Sequence, residues 1–334
     1  MDFKLTDGGC SKPKYKQLID LVAGAVRRGE LREGSPLPSI NEACRQADVS
    51  RDTVVKAYSA LKRMGIASSA HGKEFYILST RRSSTPRTLV IIDDLSMYKQ
   101  QLVAGIREEL GSGAELLVLC HNNKLSALEA LYSTHRSGYE ACAIIPALDL
   151  PGTFHFLRSF PNDAILVLDR FSARLGGGIP AVYQDFEPGV KSALAAALPK
   201  LRSYKRLVFL QKDDSQIMLA IQRGVESFCK EAGLCCAVSK ESNPRPGDAW
   251  LLADEDELVA LIKAAKAQGL AIGSASGLGV ISYNDTPLKE IIEGGTTVIT
   301  ADFHQMGLEA GALIKSGKLK TISVETKLIP RKTL

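Results

Sequence analysis

The chain has 334 residues, of which 45% are hydrophobic and 24% charged, with a formal net charge of +5. That length and balance fit an ordinary globular protein with two domains and sizeable cores. They exclude a membrane protein, since no apolar run approaches the length of a span. The opening MDFKLTDGGCSKPKY has neither a basic n-region nor an apolar h-region, so no secretory leader and a cytoplasmic location are expected. The seven cysteines (10, 44, 120, 142, 229, 235 and 236) show no C-x-x-C or zinc spacing and read as free thiols. The adjacent Cys235 and Cys236 are the alternative, redox reading.

In chain order, residues 14–28 form an amphipathic helix with Leu18, Ile19, Leu21, Val22, Ala25 and Val26 inward. Ser39 with Glu42 is a capping box that opens a second helix at Ile40. It runs to about Ala47, where Asp48 and Val49 supply a tight turn. Ser50 caps a third helix, whose Val54, Ala57, Tyr58 and Leu61 form one apolar face. The opposite face carries Arg51, Asp52, Thr53, Val55, Lys56 and Ser59, free to meet a ligand. Residues 66–69, the turn His71-Gly72-Lys73 and the run 75–77 read as a hairpin. Two helices joined by a tight turn and followed by a basic hairpin make a winged helix-turn-helix.

Charge agrees with a nucleic-acid partner. Residues 1–87 hold 16 Lys and Arg against 9 Asp and Glu, whereas the remainder holds 26 against 28. The whole positive excess therefore lies in the N-terminal part, as phosphate contacts require.

The pieces PKYKQLIDLVAGAVRRGEL, LPSINEA, VSRDTVVKAY, LKRMGI and HGK resemble, in order, the winged-helix domain of GntR-family transcription regulators. The resemblance covers roughly residues 12–78. It implies that Ser50, Arg51 and Thr53 face DNA and that His71, Gly72 and Lys73 form a wing tip for the minor groove. Ser39 and Lys56 complete the expected DNA-binding set. Asn41 and Val55 stand where many family members have Arg, which leaves the operator sequence open. Domain bounds of 1–78, a linker at 79–87 (STRRSSTPR) and 88–334 follow from the change in composition.

From 88 onward short apolar runs alternate with helical stretches. Strands are expected at 88–92, 116–120, 142–146, 165–168, 181–183, 206–210, 237–239, 250–252, 278–282 and 296–299. Helices are expected at 97–110, 124–136, 187–198, 215–232, 256–268 and 303–315. This alternation predicts an α/β domain of two doubly wound lobes, with ligand at the carboxyl ends of the strands.

The runs VLDRFS, VYQDFEPGVKSALAAALPK, KRLVFL, IQRGVESFCKEAGL and the closing GVISYNDTPLKEIIEGGTTVITADFHQMGLEAGALIKSG resemble the effector domain of LacI-type repressors, itself similar to periplasmic sugar-binding proteins. GntR heads on LacI-like sensors are a recognised architecture, that of bacterial arabinose repressors. By resemblance, Arg223 matches a ligand-contacting Arg and Asn284 the first member of an Asp-Asp pair. Asp169 matches the acid at the end of its strand, with Arg170 beside it. Asp254 and Glu255 lie where the family has Asn-Asp, and Asp93, Asp94, Ser96 and Tyr98 face the same cleft. Carboxylates, amides and a guanidinium suit sugar hydroxyls, which both donate and accept. For Asp254 a helix cap is the competing reading, and for Trp250 a place in the core.

The chain has no G-x-x-x-x-G-K-[ST], H-E-x-x-H or G-x-S-x-G, and 273–279 (GSASGLG) lacks the following Lys. No enzymatic activity, cofactor or metal is expected. The expectation is a homodimeric, DNA-binding transcription regulator of palindromic double-stranded operator DNA, controlled by a small polar effector such as a monosaccharide. The alternative is a regulator with a non-sugar effector, or with a ligand-free sensor kept for dimerisation.

Overall fold

The computed structural model describes residues 3, 13–27, 29–63, 66–70, 74–77, 86–160, 165–175 and 178–334. They fall into two compact units, 1–85 and 86–334.

In the first unit, α1 spans Lys14–Arg27, α2 Ile40–Ala47 and α3 Arg51–Arg63. Strands β1 (Ala67–Ala70) and β2 (Glu74–Ile77) follow and pair antiparallel. The capping box at α2 is complete: Ser39 Oγ accepts from the Glu42 N–H and the Glu42 carboxylate accepts from the Ser39 N–H. Asp48 closes α2 in the left-handed conformation (φ 48°), so the chain reverses within three residues into α3. Leu18, Val22, Val54, Ala57, Tyr58 and Leu61 are buried together in one core. One feature has no periodic signature in the sequence: residues 34–37 lie against β2 as a third short strand. Ile77 N–H donates to the Ser35 carbonyl, Leu37 N–H to the Phe75 carbonyl, and Pro36 bridges Tyr76.

The second unit has two six-stranded sheets. The first-lobe sheet contains β3 (Thr88–Ile92), β4 (Leu116–Cys120), β5 (Ala141–Ile144), β6 (Leu166–Asp169), β7 (Ala181–Gln184) and β13 (Ile322–Val324). Its order is β13-β7-β6-β5-β3-β4, parallel throughout. The second-lobe sheet contains β8 (Arg206–Leu210), β9 (Cys236–Ser239), β10 (Asp248–Leu252), β11 (Leu278–Tyr283), β12 (Thr297–Ala301) and β14 (Thr326–Ile329). Its order is β14-β12-β11-β10-β8-β9, with only β14 antiparallel. The helices are α4 (Met97–Leu110), α5 (Leu125–His135), α6 (Thr153–Arg158), α7 (Phe186–Leu201), α8 (Gln216–Ala232), α9 (Glu255–Ala267) and α10 (Phe303–Ser316). Strands β3, β10, β11 and β12 are buried along their whole length, as parallel strands covered on both faces must be.

The chain passes between lobes three times: after β7, after β12 and between β13 and β14. Strands β13 and β14 and the six-residue α6 were not among the expected elements. The two strands are half-exposed sheet edges without a continuous apolar run, α6 is a single short helix, and only the crossovers place β13 and β14. Strand ends also differ, with β5 at 141–144 rather than 142–146 and β12 reaching Ala301.

The second crossover carries α10 back onto α4 of the first lobe, where the two helices nearly touch. A Cβ on Gly307 would stand 2.1 Å from the Leu102 carbonyl oxygen, and one on Gly105 2.2 Å from that of His304. Gly307→Ala is therefore expected to lower stability by about 1–3 kcal/mol or more, seen as an earlier thermal transition of the second unit.

After β11 the chain is tied by Lys289. It is 2% exposed, and its ammonium donates to the Tyr283 and Asn284 carbonyls at 2.9 Å. Burial pulls its pKa down to about 8, against the partial support of Glu255 and Asp285. Above that value the unfolded chain holds a proton the folded chain has lost, so this residue's contribution rises with pH up to the ordinary lysine range. Lys289→Met is expected to remove that rise. Denaturant titrations from pH 7 to 10 would show wild type gaining stability relative to the variant.

Candidate functional site

The first unit presents the start of α3 to solvent. Its buried residues, Val54, Ala57, Tyr58 and Leu61, alternate at helical spacing with exposed Arg51, Asp52, Val55, Lys56 and Ser59. Ser50 Oγ accepts from the Thr53 N–H and contacts its hydroxyl at 2.9 Å, which fixes both side chains at the helix N-terminus. Arg51 Nη1 donates to Asn41 Oδ1 of α2 at 3.3 Å. The position where many relatives carry Arg thus steers an Arg from the neighbouring helix. Lys56 does not project freely, because its ammonium sits 4.3 Å from the centre of the Tyr15 ring on α1. Tyr58 anchors the entry to α2 by donating to the Pro38 carbonyl at 2.7 Å and packs on Phe75 of β2. Ser39 is engaged in the capping box. His71, Gly72 and Lys73 lie outside the described residues, as does most of the 79–87 linker.

In the second unit, the carboxyl ends of β3, β6, β7 and β11 hold a polar cluster. Asp93, fully buried at the end of β3, lies between two cations: Lys99 Nζ at 2.5 Å and Arg170 Nη2 at 2.6 Å. Lys99 also reaches Asp94 at 2.6 Å, and the Ser96 N–H donates to Asp94. Burial works against the charge of Lys99, but the Tyr98 oxygen, Asp93 and Asp94 outweigh it and raise its pKa. Arg170 is held charged in the same way by Asp93 and Asp169. His121, also fully buried, has its pKa lowered by burial, and its Nε2 faces the Ile145 carbonyl at 3.0 Å.

Asp169 ends β6 at φ 62°, and the Arg170 N–H turns back to the Leu168 carbonyl at 2.6 Å. That is a γ-turn of positive φ, a strained form seldom kept without purpose. Burial raises the Asp169 pKa despite Arg170 and Gln184. Gln184, at the first crossover, donates to Asp169 at 2.6 Å and accepts from the Tyr283 hydroxyl at 2.9 Å. One buried amide therefore joins the strand ends of both lobes. A second junction forms where Gln216, at the start of α8, donates through its N–H to Asp149 (2.7 Å) and through its side chain to the Leu148 carbonyl.

On the second-lobe side, Asn284 also has positive φ (59°), and its Oδ1 is buried without a hydrogen-bond partner. Asp285 is clamped by both Nη atoms of Arg331, at 2.9 and 2.7 Å. Asp254 caps α9 by accepting from the Asp256 and Glu257 N–H groups, and Glu255 accepts from the Thr286 hydroxyl.

The structure thus gathers Asp93, Ser96, Tyr98, Asp169 and Arg170 around one set of strand ends. Asn284 follows β11 of the other lobe, next to Tyr283, which donates to Gln184. Two residues of the expected effector set stand apart. Asp254 serves the helix cap that was its competing reading. Arg223, more than half exposed on α8, pairs with Glu187 of α7 at 2.6 Å, on the seam between those helices. Trp250 lies in the β10 core. Lys99, Gln184, Tyr283 and Lys289 were missed: each reads in sequence as a surface polar or core aromatic residue, and only the strand ends bring them together. A groove along α4, lined by Gln100, Val103, Ala104, Arg107, Glu108 and Ser112, lies on the flank of this lobe and holds none of these residues. No helix among the described residues is long and apolar enough to cross a membrane.

Comparison with known proteins separates the two units. Residues 14–77 match the bacterial regulatory proteins of the gntR family. The HTH-type transcriptional repressor YtrA of Bacillus subtilis is 31% identical over 110 residues, covering 33% of this chain and 81% of that protein. The Glc operon transcriptional activator of Escherichia coli K12 is 26% identical over 135 residues, 35% of this chain and 53% of that protein. Among solved structures, the E. coli transcriptional repressor ascG shares the fold at TM-score 0.57 and 18% identity, over 74% of this chain and 99% of its own. A periplasmic binding protein/LacI transcriptional regulator from Alkaliphilus metalliredigens, complexed with D-xylulofuranose, does so at 0.55 and 13%, over 74% and 98%. The chain is a transcription regulator of the GntR family, whose second unit has the fold of LacI-type repressors and periplasmic binding proteins.

Proposed function

We propose that this regulator is a one-component repressor that binds a palindromic operator as a homodimer and senses a small, uncharged, polyhydroxylated ligand between its lobes. The reading of the DNA side is supported by the exposed N-terminal turn of α3, where Ser50, Thr53 and the Asn41-steered Arg51 surround a helix N-terminus. That dipole end favours phosphate, and an arginine guanidinium suits a guanine edge in the major groove. The wing residues His71 and Lys73 would add minor-groove contacts. YtrA carries the name of a repressor, which supports the sign of the control.

The effector reading rests on one observation above the others: two residues of positive φ, Asp169 and Asn284, close strand ends of the two lobes, and Asn284 keeps a buried acceptor unmatched. The related fold with D-xylulofuranose bound supports a sugar. Charge narrows the class. Lys99 is matched by Asp93 and Asp94, Arg170 by Asp93 and Asp169, Lys212 by Glu257 and Arg331 by Asp285. A phosphate or carboxylate that drew Lys99 or Arg170 away would leave the buried Asp93 uncompensated, at a cost of several kcal/mol. Hydroxyls can donate to the acids and accept from Arg170 Nε, which is buried without a hydrogen-bond partner. The ligand controls DNA binding only if the two dimer arrangements bind it with different affinity. The same saturation of charges favours one second reading, a sensor that binds nothing and serves as a dimer scaffold.

Arg51→Ala is expected to weaken operator binding by about 1–3 kcal/mol in fluorescence anisotropy, with its response to ligand unchanged. In thermal unfolding, a neutral pentose or hexose at about a hundred times its dissociation constant should stabilise by roughly 2.7 kcal/mol, while the phosphate esters should not. Asn284→Gly, which keeps the positive φ but removes the amide, should abolish that shift. A shift from phosphate esters alone would overturn the neutral class, and none from any sugar would favour the scaffold.

A further inference from the structure

Helix α9 covers the second-lobe sheet with Leu258, Leu261, Ile262 and Ala265. The segment 286–293, which follows β11, runs beside this helix and is tied to it at both ends. Near the start of α9 the Thr286 hydroxyl donates to Glu255 at 3.0 Å, and near its end Lys266 pairs with Glu293 at 2.5 Å. Between these ties Ile292 packs on the core under α9. Glu255, Val259, Ile262 and Lys266 recur at helical spacing, so Val259 lies on the flank that meets the segment. Leu288 and Ile291, three residues apart at a turn of 3₁₀ helix, project to one side of it. Val259, Leu288 and Ile291 nevertheless stay 40%, 50% and 72% exposed, three of the eight large apolar side chains left exposed among the described residues. Apolar exposure gathered in one place, unlike single scattered residues, marks a surface that another molecule covers.

Charge identifies that molecule. The outward stripe of α9, next to Val259, carries Asp256, Ala260 and Lys263, all exposed. Asp256 and Lys263 stand two turns apart, about 10 Å along the helix, too far to pair with each other. Neither side chain has an ion-pair partner among the described residues. An acid at one end, small apolar groups between and a base at the other make a stripe complementary to its own reverse. We infer that α9 and the segment 286–293 form the surface on which a second copy of this chain docks, an inference that rests on the homodimer reading. A two-fold axis between Val259 and Ala260 lays α9 antiparallel on its symmetry mate. It sets Asp256 of each protomer against the partner's Lys263 and brings the two Leu288–Ile291 flanks together. An acidic or a basic partner would match only one end of the stripe, and nucleic acid would meet Asp256. The segment starts two residues after Asn284, so the dimer surface and the residue proposed to hold ligand lie on one stretch of chain.

The test is sedimentation equilibrium of the full chain. Asp256→Lys sets Lys against Lys at both symmetric contacts, and Lys263→Glu sets acid against acid. Each is expected to weaken the dimer at least about tenfold, as is Ile291→Glu. The double variant Asp256→Lys with Lys263→Glu should restore the dimer. Rescue separates the contact from a loss of helix stability, because both changes oppose the dipole of α9 and would only add. A wild-type dimer that is unchanged in Asp256→Lys and in Ile291→Glu would overturn the inference and leave the homodimer standing. Single variants that weaken the dimer with no rescue in the double would also overturn it. A wild type that stays monomeric would overturn the homodimer reading as well.

Discussion

A carboxylate removed from water stays charged only against cations that replace its lost hydration. Asp93, fully buried at the end of β3, has two of them, Lys99 from α4 and Arg170 from the turn after β6. The arrangement of the second unit follows from that requirement. Lys99 must lean back from the first turn of its helix toward the strand it follows, and Arg170 must be aimed by the strained turn at Asp169. Asp169 then binds Gln184, and Gln184 binds Tyr283 of the other lobe. A chain of buried polar contacts therefore runs from the first lobe through a crossover into the second. Such a chain is costly to leave half satisfied, which makes the relation between the lobes depend on a few residues at the strand ends.

The first unit solves a different problem, how to hold α3 rigid while leaving its outer face exposed. The capping box at α2 and the left-handed Asp48 set the angle between α2 and α3, and Tyr58 locks α3 to the segment before α2. Asn41 then restrains Arg51, and Tyr15 restrains Lys56. Side chains held before contact lose less entropy on binding than free ones. Asn41 and Val55, where the resemblance expects Arg in many members, are both exposed, so a change there leaves the core behind undisturbed.

Elements legible in the sequence were those whose cause is local. The capping box, the Asp48 turn and the apolar face of α3 involve residues within four positions of each other, and all were readable. The ten expected strands of the second unit are apolar runs, most of them buried in the sheets. The segment 34–37, β13 and β14 are not readable, because they are edge segments with no continuous apolar run and pair with strands distant in sequence. The burial of Lys99 is equally invisible in the sequence. Nothing within its own helix calls for burial, and the acid that does so lies across a loop. Arg223 shows the converse case: the resemblance gives it a ligand role, and the structure pairs it with Glu187 across the α7–α8 seam.

Sequence alone determined the two-unit plan, the winged helix, the charge asymmetry and the α/β alternation, since each depends on residue order and on hydrophobic period. Tertiary structure alone decided which polar residues share a site. It matched the cations of the strand ends with acids and left Asn284 Oδ1 unmatched. The reason is physical: backbone pattern is a short-range property, whereas the partner of a buried polar atom is whichever group three crossovers happen to bring within hydrogen-bond distance.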